Sequence, residues 1–571
     1  MSRKGIVLVV SLMVLTVILI LTGVYFSSLI TEKKAADTEK YVLQALNLAE
    51  AGASQGISEL RKRIRTDLDG RLMYVSQSAV ILAYVSANNP LGFLRDYAYS
   101  GDSGQFNISG TEAALVVQPL SLNSDVQGNY SAIVRISSAG APTNPQNEVY
   151  VFRYNFSVDA TAVVTKTIPN ITRSLGLVNG SFSITVMRDT FAKFALFTAH
   201  HRTPSNSVVW FTESTNFSGP VSTNERFSFA RNPSAHFSEE VTQHNQSARF
   251  YNNGNEVYRD ADYYSYIDRT GQEVIVDRPI FDKGFVRGAE IINITSSITQ
   301  VDLKRQALGG TADPGARGIY IPNDGSNLIG GIYIKGNQGD NGDNPTISMS
   351  ATASGPVYTI TRESTTKVIT INYAANQTTI QTGPTRETYS GIPDGVGNEG
   401  IIIYADDDIG SFSGTVEKDT NITVSSERNI NLSGNVLYEQ YNPSPLNALG
   451  FTNVLGILSW GGNVVIDSNA PDNVEIHGVV MAPHGVFTVD NYNRGRYRGI
   501  ATLLGGVITD FYGAFGTFGG MGGQTGYGRN FVYDARMLQG TTPPYFPYLS
   551  NFTSSDDDGL DRALNWQDRG L

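Results

Sequence analysis

The first feature of the chain is an uncharged apolar run at its N-terminus. The segment from Ile6 to Ile30 contains no charged residue. About 20 apolar residues are enough to cross a bilayer. A secretory signal has a shorter apolar core, of about 7–15 residues, and ends in a small-residue cleavage site that this run lacks. The pattern predicts a transmembrane helix over 6–30, preceded by a short basic leader over 1–5.

Helical periodicity continues beyond the apolar run. Apolar and small residues recur at spacings of three and four, which places them on one helix face; they are Val42, Leu46, Ala49, Ala53, Ile57, Leu60 and Ile64. We therefore predict a projecting amphipathic helix over 31–70. Gly52 and Gly56 lie within it, and glycines at this spacing allow the close approach either of another helix or of the protein's own sheet.

The hydrophobic period changes to two after about residue 71. Tyr150, Phe152, Tyr154, Phe156 and Val158 alternate with mostly polar residues. Such alternation is typical of a strand in an antiparallel sheet that has one buried face. We expect a small antiparallel sheet over 71–197 that packs on the projecting helix.

A third pattern recurs over 198–550. It is a five-residue element with a glycine between two apolar positions, and its glycines are Gly219, Gly330, Gly414, Gly434, Gly478 and Gly506. Gly414 and Gly434 are 20 positions apart, and Gly434 and Gly478 are 44 apart, which fits two coils. Such intervals favour a right-handed parallel β-helix, in which glycine marks close backbone approach. An ordinary antiparallel sandwich is the alternative.

The predicted fold class is therefore α+β followed by all-β. It consists of a long N-terminal pilin-like transmembrane helix, a small antiparallel sheet and a right-handed parallel β-helix (solenoid) body. We expect a hairpin insertion near 355–385 and a C-terminal tail over 551–571. Pro543 and Pro544 predict an exposed linker before that tail, and Leu560–Trp566 predicts a helical turn or two.

Composition removes several function classes. The chain has no cysteine, so disulfides, thiolate metal sites and cysteine nucleophiles are excluded. The formal net charge is −11. Because binding to a phosphate backbone needs clustered Lys and Arg, we expect no nucleic-acid partner. We also expect no cofactor, no metal and no catalytic residue.

One cluster of carboxylates follows a predicted strand, at Asp406, Asp407 and Asp408. Adjacent carboxylates serve as acid and base in polysaccharide cleavage or as oxygen ligands for Ca²⁺. A solvated turn between coils is the alternative and the reading we favour. The segment Asn337–Asn344 has the composition of a Ca²⁺ loop but not its acidic spacing, so we expect a flexible turn.

The histidines offer little more. His200 and His201 suggest a metal site with His236 or His244, but neighbouring strand residues point to opposite faces. His477 and His484 lie near each other in sequence with no fuller motif around them. Because His477 fills a variable position of the glycine element, we expect it to point outward.

The N-terminus also resembles a known family. The Arg3–Gly5 leader, the apolar run, the charged step at Glu32–Lys34 and the segment Ala45–Gly52 are similar to PilX-type minor pilins. The resemblance implies a prepilin leader that is cleaved between Gly5 and Ile6. Major pilins usually begin with Phe and have Glu at the fifth mature position, where this chain has Ile6 and Val10, which favours a minor component.

A second, weaker resemblance concerns the body. The segments Gly219–Asn224 and Val474–Asp490 are similar to an uncharacterised domain that often follows PilX-type N-termini. It implies no chemistry.

Together these features predict a membrane-anchored, pilin-like or pseudopilin-like component of a type IV pilus or related assembly. Arg3 and Lys4 favour a cytoplasmic N-terminus, but Lys33, Lys34 and Lys40 beyond the apolar run nearly balance them. The pilin resemblance and the cysteine-free body imply a helix in the inner (cytoplasmic) membrane with the body outside the cytoplasm. The expected partners are the lipid bilayer, pilin subunits, prepilin peptidase and an extracellular glycan. A tethered polysaccharide-active enzyme and a stand-alone tethered adhesin are the alternatives.

Overall fold

The chain folds into two compact units. The computed structural model describes residues 3–72, 78–98, 106–109, 112–122, 128–146, 149–165, 170–212, 215–232, 234–252, 254–294, 300–336, 344–440, 452–519, 522–549, 552–556 and 566–568. The helix–sheet unit consists of Met1–Arg188 and Asn551–Leu571, and the stacked-strand unit consists of Asp189–Ser550. The border expected at residue 197 therefore lies at 188 instead.

One long helix opens the helix–sheet unit. Helix α1 (Arg3–Lys62) continues through a π-helical turn (Arg63–Leu68) into α2 (Asp69–Leu72). The prediction of a long N-terminal helix is confirmed. Two short helices follow, α3 (Ser78–Ser86) and α4 (Pro90–Tyr97). Proline is favoured at the start of a helix because its missing N–H is not needed there.

The sheet of this unit is antiparallel and has eight strands. They are Phe106–Ser109, Glu112–Leu122, Gly128–Ser138, Thr143–Gln146, Val149–Val164, Ile171–Met187, Thr553–Asp556 and Trp566–Asp568. Along Val149–Val164, burial alternates as the period of two predicts, from Tyr150 to Val158. The sheet is larger than the small one expected.

Small residues on α1 bring the helix close to the sheet. Ala45, Ala49 and Ala53 are fully buried. A Cβ on Gly52 would lie 2.8 Å from the ring of Tyr130, and one on Gly56 would lie 3.0 Å from a methyl of Val134. The two glycines therefore pack against the protein's own sheet, which was one of the two expectations for them.

The C-terminal residues return to the same sheet. Strand Ile171–Met187 pairs with Thr553–Asp556 and with Trp566–Asp568. In sequence, the stacked-strand unit is thus an insertion between two paired strands. Pro543 and Pro544 are buried, so the exposed linker expected there is wrong. Most of the predicted helical turn lies outside the described residues, and Trp566 begins a strand.

The stacked-strand unit contains one long ladder of parallel strands. Its members, in stacking order, are Ile332–Lys335, Ile401–Ala405, Asn421–Ser426, Val454–Ser459, Glu475–Ala482, Tyr497–Phe511, Leu196–His200, Val221–Thr223, Val241–Gln243 and Phe285–Arg287.

The stacking order differs from the chain order. Leu196 on the first strand of the unit pairs with Val507 on a strand near its end. The chain then leaves Phe285–Arg287 and reaches the far end of the ladder through α5 (Gln300–Leu308) and strand Gly318–Tyr320. Both ends of the unit meet as a result, and Leu549 N–H donates to the Asp189 carbonyl at 2.7 Å. This closure permits the insertion.

Shorter ladders run beside the long one. The second ladder stacks Thr346–Thr352, Ile409–Val416, Ile430–Tyr438, Val464–Ile466 and Phe487–Val489. A third stacks Asn216–Phe217, His236–Phe237 and Ile280–Phe281, and Ser228–Phe229 stacks on Ala248–Asn252. Val436 pairs directly with Ile476. The two coils expected between Gly434 and Gly478 are therefore a single one.

Antiparallel hairpins extend from the ladders. The insertion expected near 355–385 is present, and it follows Thr346–Thr352 as Gly355–Arg362, Thr365–Asn372, Gln377–Thr382 and Thr385–Ser390. Further antiparallel pairs are Ala248–Asn252 with Asn255–Arg259, Tyr264–Ile267 with Glu273–Asp277, and Gly516–Gly519 with Gly522–Val532. Two short 3₁₀ helices are Phe191–Lys193 and Ala535–Gln539.

Two devices hold neighbouring coils together. Phe217, Phe237 and Phe281 form a ring stack along the third ladder, with centroid distances of 5.8 and 5.3 Å. Glycine allows two backbones to approach closely. Gly414 has a φ of +122°, and a Cβ there would overlap the Met349 carbonyl. Gly478 pairs with Gly505 on the neighbouring strand.

Candidate functional site

The exposed half of α1 is the most distinctive surface of the chain. Side chains from Ile6 to Ile30 are exposed. The most apolar 18-residue window of the helix has a mean hydropathy of 2.9, and none of it is buried. An apolar surface of this size is unfavourable in water. Among the described residues, the protein thus has one helix long and apolar enough to cross a membrane.

Three hydroxyl groups within this segment are satisfied by the helix itself. The hydroxyls of Ser11, Thr16 and Thr22 donate to the carbonyls of Leu8, Leu12 and Ile18 at 2.7–2.9 Å. Unsatisfied polar groups are costly in hydrocarbon. Because these three are internally bonded, they do not oppose insertion. Gly5 and Ile6, the predicted cleavage junction, lie in the first turns of α1.

The buried carboxylate of Asp406 belongs to an ionic network that extends to the surface. Its Oδ2 accepts from the Tyr333 hydroxyl at 2.8 Å and from Lys335 Nζ at 2.9 Å. Its Oδ1 accepts from the Gly336 N–H. Lys335 also contacts Asp313, which Lys304 Nζ approaches to 2.6 Å. Both oxygens of Asp406 are therefore occupied by groups of the protein.

Electrostatics in this network favour the charged forms of Asp313 and Lys335. Burial raises the pKa of Asp313, but hydrogen bonds from Lys304, Lys335 and Tyr333 outweigh burial and leave the pKa below its usual value. Burial lowers the pKa of Lys335, yet its bonds to Asp406 and Asp313 raise the net pKa. The charges of Lys304 and Lys335 together balance those of the two carboxylates. This partnership could not be predicted from local patterns, because Asp313 and Lys335 lie more than 70 positions before Asp406 in the chain.

The other two carboxylates of the acidic turn are also bonded. Asp407 is buried, and its Oδ1 accepts from the Asp408 N–H at 3.0 Å. Asp408 Oδ1 accepts from the N–H and Nδ2 of Asn429 at 2.7 and 2.9 Å. These contacts tie the turn to the next coil. Of the three readings of Asp406–Asp408, a turn between coils agrees best with them, although the turn is buried rather than solvated.

The structure does not gather the histidines into a metal site. His200 lies 2.7 Å from Asp510, His236 lies 2.9 Å from Asp282, and His244 lies 2.8 Å from the Ala289 carbonyl. His201 is buried among the rings of Phe211, Phe227 and Tyr512. The described residues hold no group of three or more His, Asp or Glu side chains suited to a metal ion. Residues 337–343 of the Ca²⁺-like loop lie outside the described part.

The expectation that His477 points outward is wrong. It is buried, its Nδ1 accepts from the Tyr438 N–H at 2.9 Å, and its Nε2 lies 2.8 Å from Glu475 Oε1. Burial lowers the pKa of His477 despite the opposing effect of Glu475. Because a backbone N–H occupies its basic nitrogen, the imidazole has a structural role. His484 is exposed.

Comparison with known proteins gives one match. Residues 150–245 match a family model described as a domain of unknown function (DUF4900). The match includes the segment Gly219–Asn224 and ends before Val474–Asp490. No curated protein and no solved structure matches the chain.

Proposed function

We propose that this chain is a membrane-anchored, surface-exposed component of a type IV pilus or a related assembly, of the minor-pilin or pseudopilin kind. The observation that carries the proposal is the change of environment along α1. Its first part is apolar and exposed, while its second part packs on an antiparallel sheet through Ala45, Ala49 and Ala53. An apolar helix of this kind is suited both to a bilayer and to a filament core.

We further propose that the parallel ladders form a right-handed parallel β-helix that serves as a display or adhesion domain. The parallel pairing of successive coils and their glycine contacts support this assignment. The insertion of the stacked-strand unit between two paired strands also suits display, because it leaves the N-terminal helix free for anchoring. A glycan-cleaving enzyme is less well supported, since Asp406 has both oxygens bonded within the protein.

The mature N-terminus tests the pilin assignment. In cells with active prepilin peptidase, we expect mass spectrometry of the full chain to show loss of residues 1–5 and a start at Ile6. Gly5→Leu should block this cleavage. Gly23→Ala is the matched control, because a Cβ at Gly23 meets nothing within 4 Å. An intact Met1 or Ser2 terminus in the wild type would contradict the proposal.

Co-purification separates a filament component from a stand-alone adhesin. We expect the processed wild type to be recovered with pilus subunits after mild detergent extraction, and Gly5→Leu to be depleted from them. Recovery of the processed chain without any pilin subunit would favour the adhesin instead.

A further inference from the structure

A hairpin of the stacked-strand unit presents an unusual outer face. Strand Ala248–Asn252 pairs with Asn255–Arg259, with Arg249 opposite Tyr258 and Tyr251 opposite Glu256. Ala248 and Phe250 point inward and are fully buried. Because successive strand residues point to opposite faces, Arg249 and Tyr251 lie on the outer face with Glu256 and Tyr258. Tyr251 and Tyr258 are each 41% exposed.

Two side chains from earlier coils complete this surface. Trp210 meets Tyr251 edge to face at 5.5 Å. The guanidinium of Arg226 lies 4.6 Å from the ring centroid of Tyr258, and that of Arg249 lies 5.5 Å from it. We call these six residues the aromatic–arginine face: Trp210, Arg226, Arg249, Tyr251, Glu256 and Tyr258.

The face is held in place before any ligand arrives. Arg226 Nε donates to the Ser247 carbonyl at 2.7 Å, and the Tyr258 hydroxyl donates to Glu256 Oε2 at 2.6 Å. Cation–π contacts further fix the guanidinium groups over the ring. Side chains that are already ordered lose little conformational freedom on binding, which favours affinity.

The charge of the face is opposite to that of the chain. The whole chain has a formal net charge of −11, whereas the face has two arginines and one glutamate. The nearby acids Asp260 and Asp262 are both paired with Arg287 at 2.7 Å. Asp277 is buried and accepts from the N–H groups of Arg231 and Tyr251. One arginine leaves one of the acids Asp260 and Asp262 unbalanced, but the exposed Arg259 of the same hairpin compensates for it. The four arginines and three acids of this surface therefore have a net charge of +1, which favours an anionic ligand.

We propose that the aromatic–arginine face binds an acidic polysaccharide of the uronic-acid type. Exposed aromatic rings offer flat apolar surfaces for the C–H faces of sugar rings, and guanidinium groups are suited to carboxylates. A nucleic acid fits less well, because two cations on an acidic chain are few for a phosphate backbone. The proposal depends on the proposed location of the body outside the cytoplasm, but not on cleavage at Gly5 or on polymerisation.

Binding of a galacturonic-acid oligomer to the purified full chain in detergent micelles tests the proposal by calorimetry. We expect measurable binding that weakens when salt rises from about 0.05 M to about 0.5 M, because screening reduces charge attraction. The methyl-esterified oligomer, which lacks the carboxylate charge, should bind at least about tenfold more weakly. Tyr251→Ala and Arg226→Gln should each weaken binding by about tenfold or more.

Matched controls come from another part of the same unit. Tyr497→Ala and Arg496→Gln remove an exposed tyrosine and an exposed arginine outside the face, and both should bind like the wild type. Circular dichroism and thermal unfolding would confirm that each variant is folded.

Three results would overturn the proposal. They are failure of the folded wild type to bind the oligomer, equal binding of the esterified oligomer, and unchanged binding by both face variants. Capture of a pilus protein by the face in place of the oligomer would overturn it as well. None of these results depends on the mature N-terminus, so the pilin assignment is tested separately.

Discussion

The two units bury their strands in different ways. In the helix–sheet unit, strand Gly128–Ser138 alternates buried and half-buried residues along most of its length. In the stacked-strand unit, all residues of Val454–Ser459 are buried. The reason lies on the second face: Pro543 and Phe546 approach Gly456 closely enough that a Cβ there would lie within about 3 Å of both. An alternating pattern therefore identifies a strand with one covered face. A strand that is covered on both faces shows no alternation and is missed.

Removing one aromatic ring from each unit should test how separate their cores are. Phe237 lies between Phe217 and Phe281 in the ring stack and is fully buried. We expect Phe237→Ala to lower the free energy of unfolding of the stacked-strand unit by about 4 kcal/mol, since a lost buried ring leaves a cavity. Urea unfolding followed by hydrogen exchange with mass spectrometry measures the effect and assigns it to a unit.

The matched variant is Phe152→Ala, whose ring stacks on Phe93 at 4.1 Å in the helix–sheet unit. It should lower the unfolding free energy of that unit by a similar amount, and exchange should increase there alone. If both variants opened the same set of peptides, the division into two cores would be wrong.

Substitution of two glycines of the same sequence element by alanine should lower the unfolding free energy by different amounts. Gly414→Ala places a Cβ onto the Met349 carbonyl at a φ of +122°, and backbone cannot move aside easily. We expect a loss of about 3 kcal/mol in unfolding free energy. In Gly434→Ala the new Cβ lies 3.1 Å from the Ser413 Cβ at an ordinary φ, so the loss should be about 1 kcal/mol or less. Urea titration of the two variants would show whether they differ.

Sequence patterns revealed parts of this architecture for physical reasons. The apolar run and the helical stripe predicted α1 because both depend on local spacing. Alternation from Tyr150 to Val158 predicted the sheet strand. The pairing of Leu196 with Val507 could not be predicted. The five-residue glycine element has the same form whether the neighbouring strand in space is the next one in the chain or a distant one. His477 was misplaced for the related reason that its strand is covered on both faces.

Some features of the candidate sites could be predicted from the sequence and others could not. The apolar surface of α1 could be read directly from composition. The bonds of Asp406 could not, because Tyr333, Lys335 and Asp313 lie more than 70 positions earlier in the chain. The aromatic–arginine face was missed for the same reason, since Trp210 and Arg226 reach the hairpin from earlier coils. The right-handed parallel β-helix and the cleavage at Gly5 remain predictions.

Histidine titration at low pH should affect the unfolding free energy of the stacked-strand unit and not that of the helix–sheet unit, because all six histidines lie in the stacked-strand unit. The expected effect is smaller than those of the aromatic substitutions above. Burial, with smaller effects from Arg529 and Arg249, lowers the pKa of His201 from 6.5 to about 3. Below pH 6.5 the unfolded chain binds a proton at this residue while the folded chain does not. His201 therefore contributes full stability above pH 6.5, and this contribution falls by about 1.4 kcal/mol per pH unit between pH 6.5 and pH 3.

His201→Phe removes this titration and keeps an aromatic ring beside Phe211 and Phe227. Relative to the wild type, the variant should gain about 1 to 2 kcal/mol of unfolding free energy when the pH is lowered from about 7 to about 5. Urea unfolding at each pH gives the slope, and His484→Phe, at an exposed site, should leave it unchanged.

A carboxyl group with a raised pKa has the opposite effect on stability. Burial raises the pKa of Asp277 to about 6, so that residue stabilises the fold as pH falls from 6 toward 4. The total slope of the wild type therefore understates the effect of His201, and the difference between wild type and His201→Phe is the quantity that tests it. Identical slopes for the two proteins would mean that His201 is accessible to protons in the folded state.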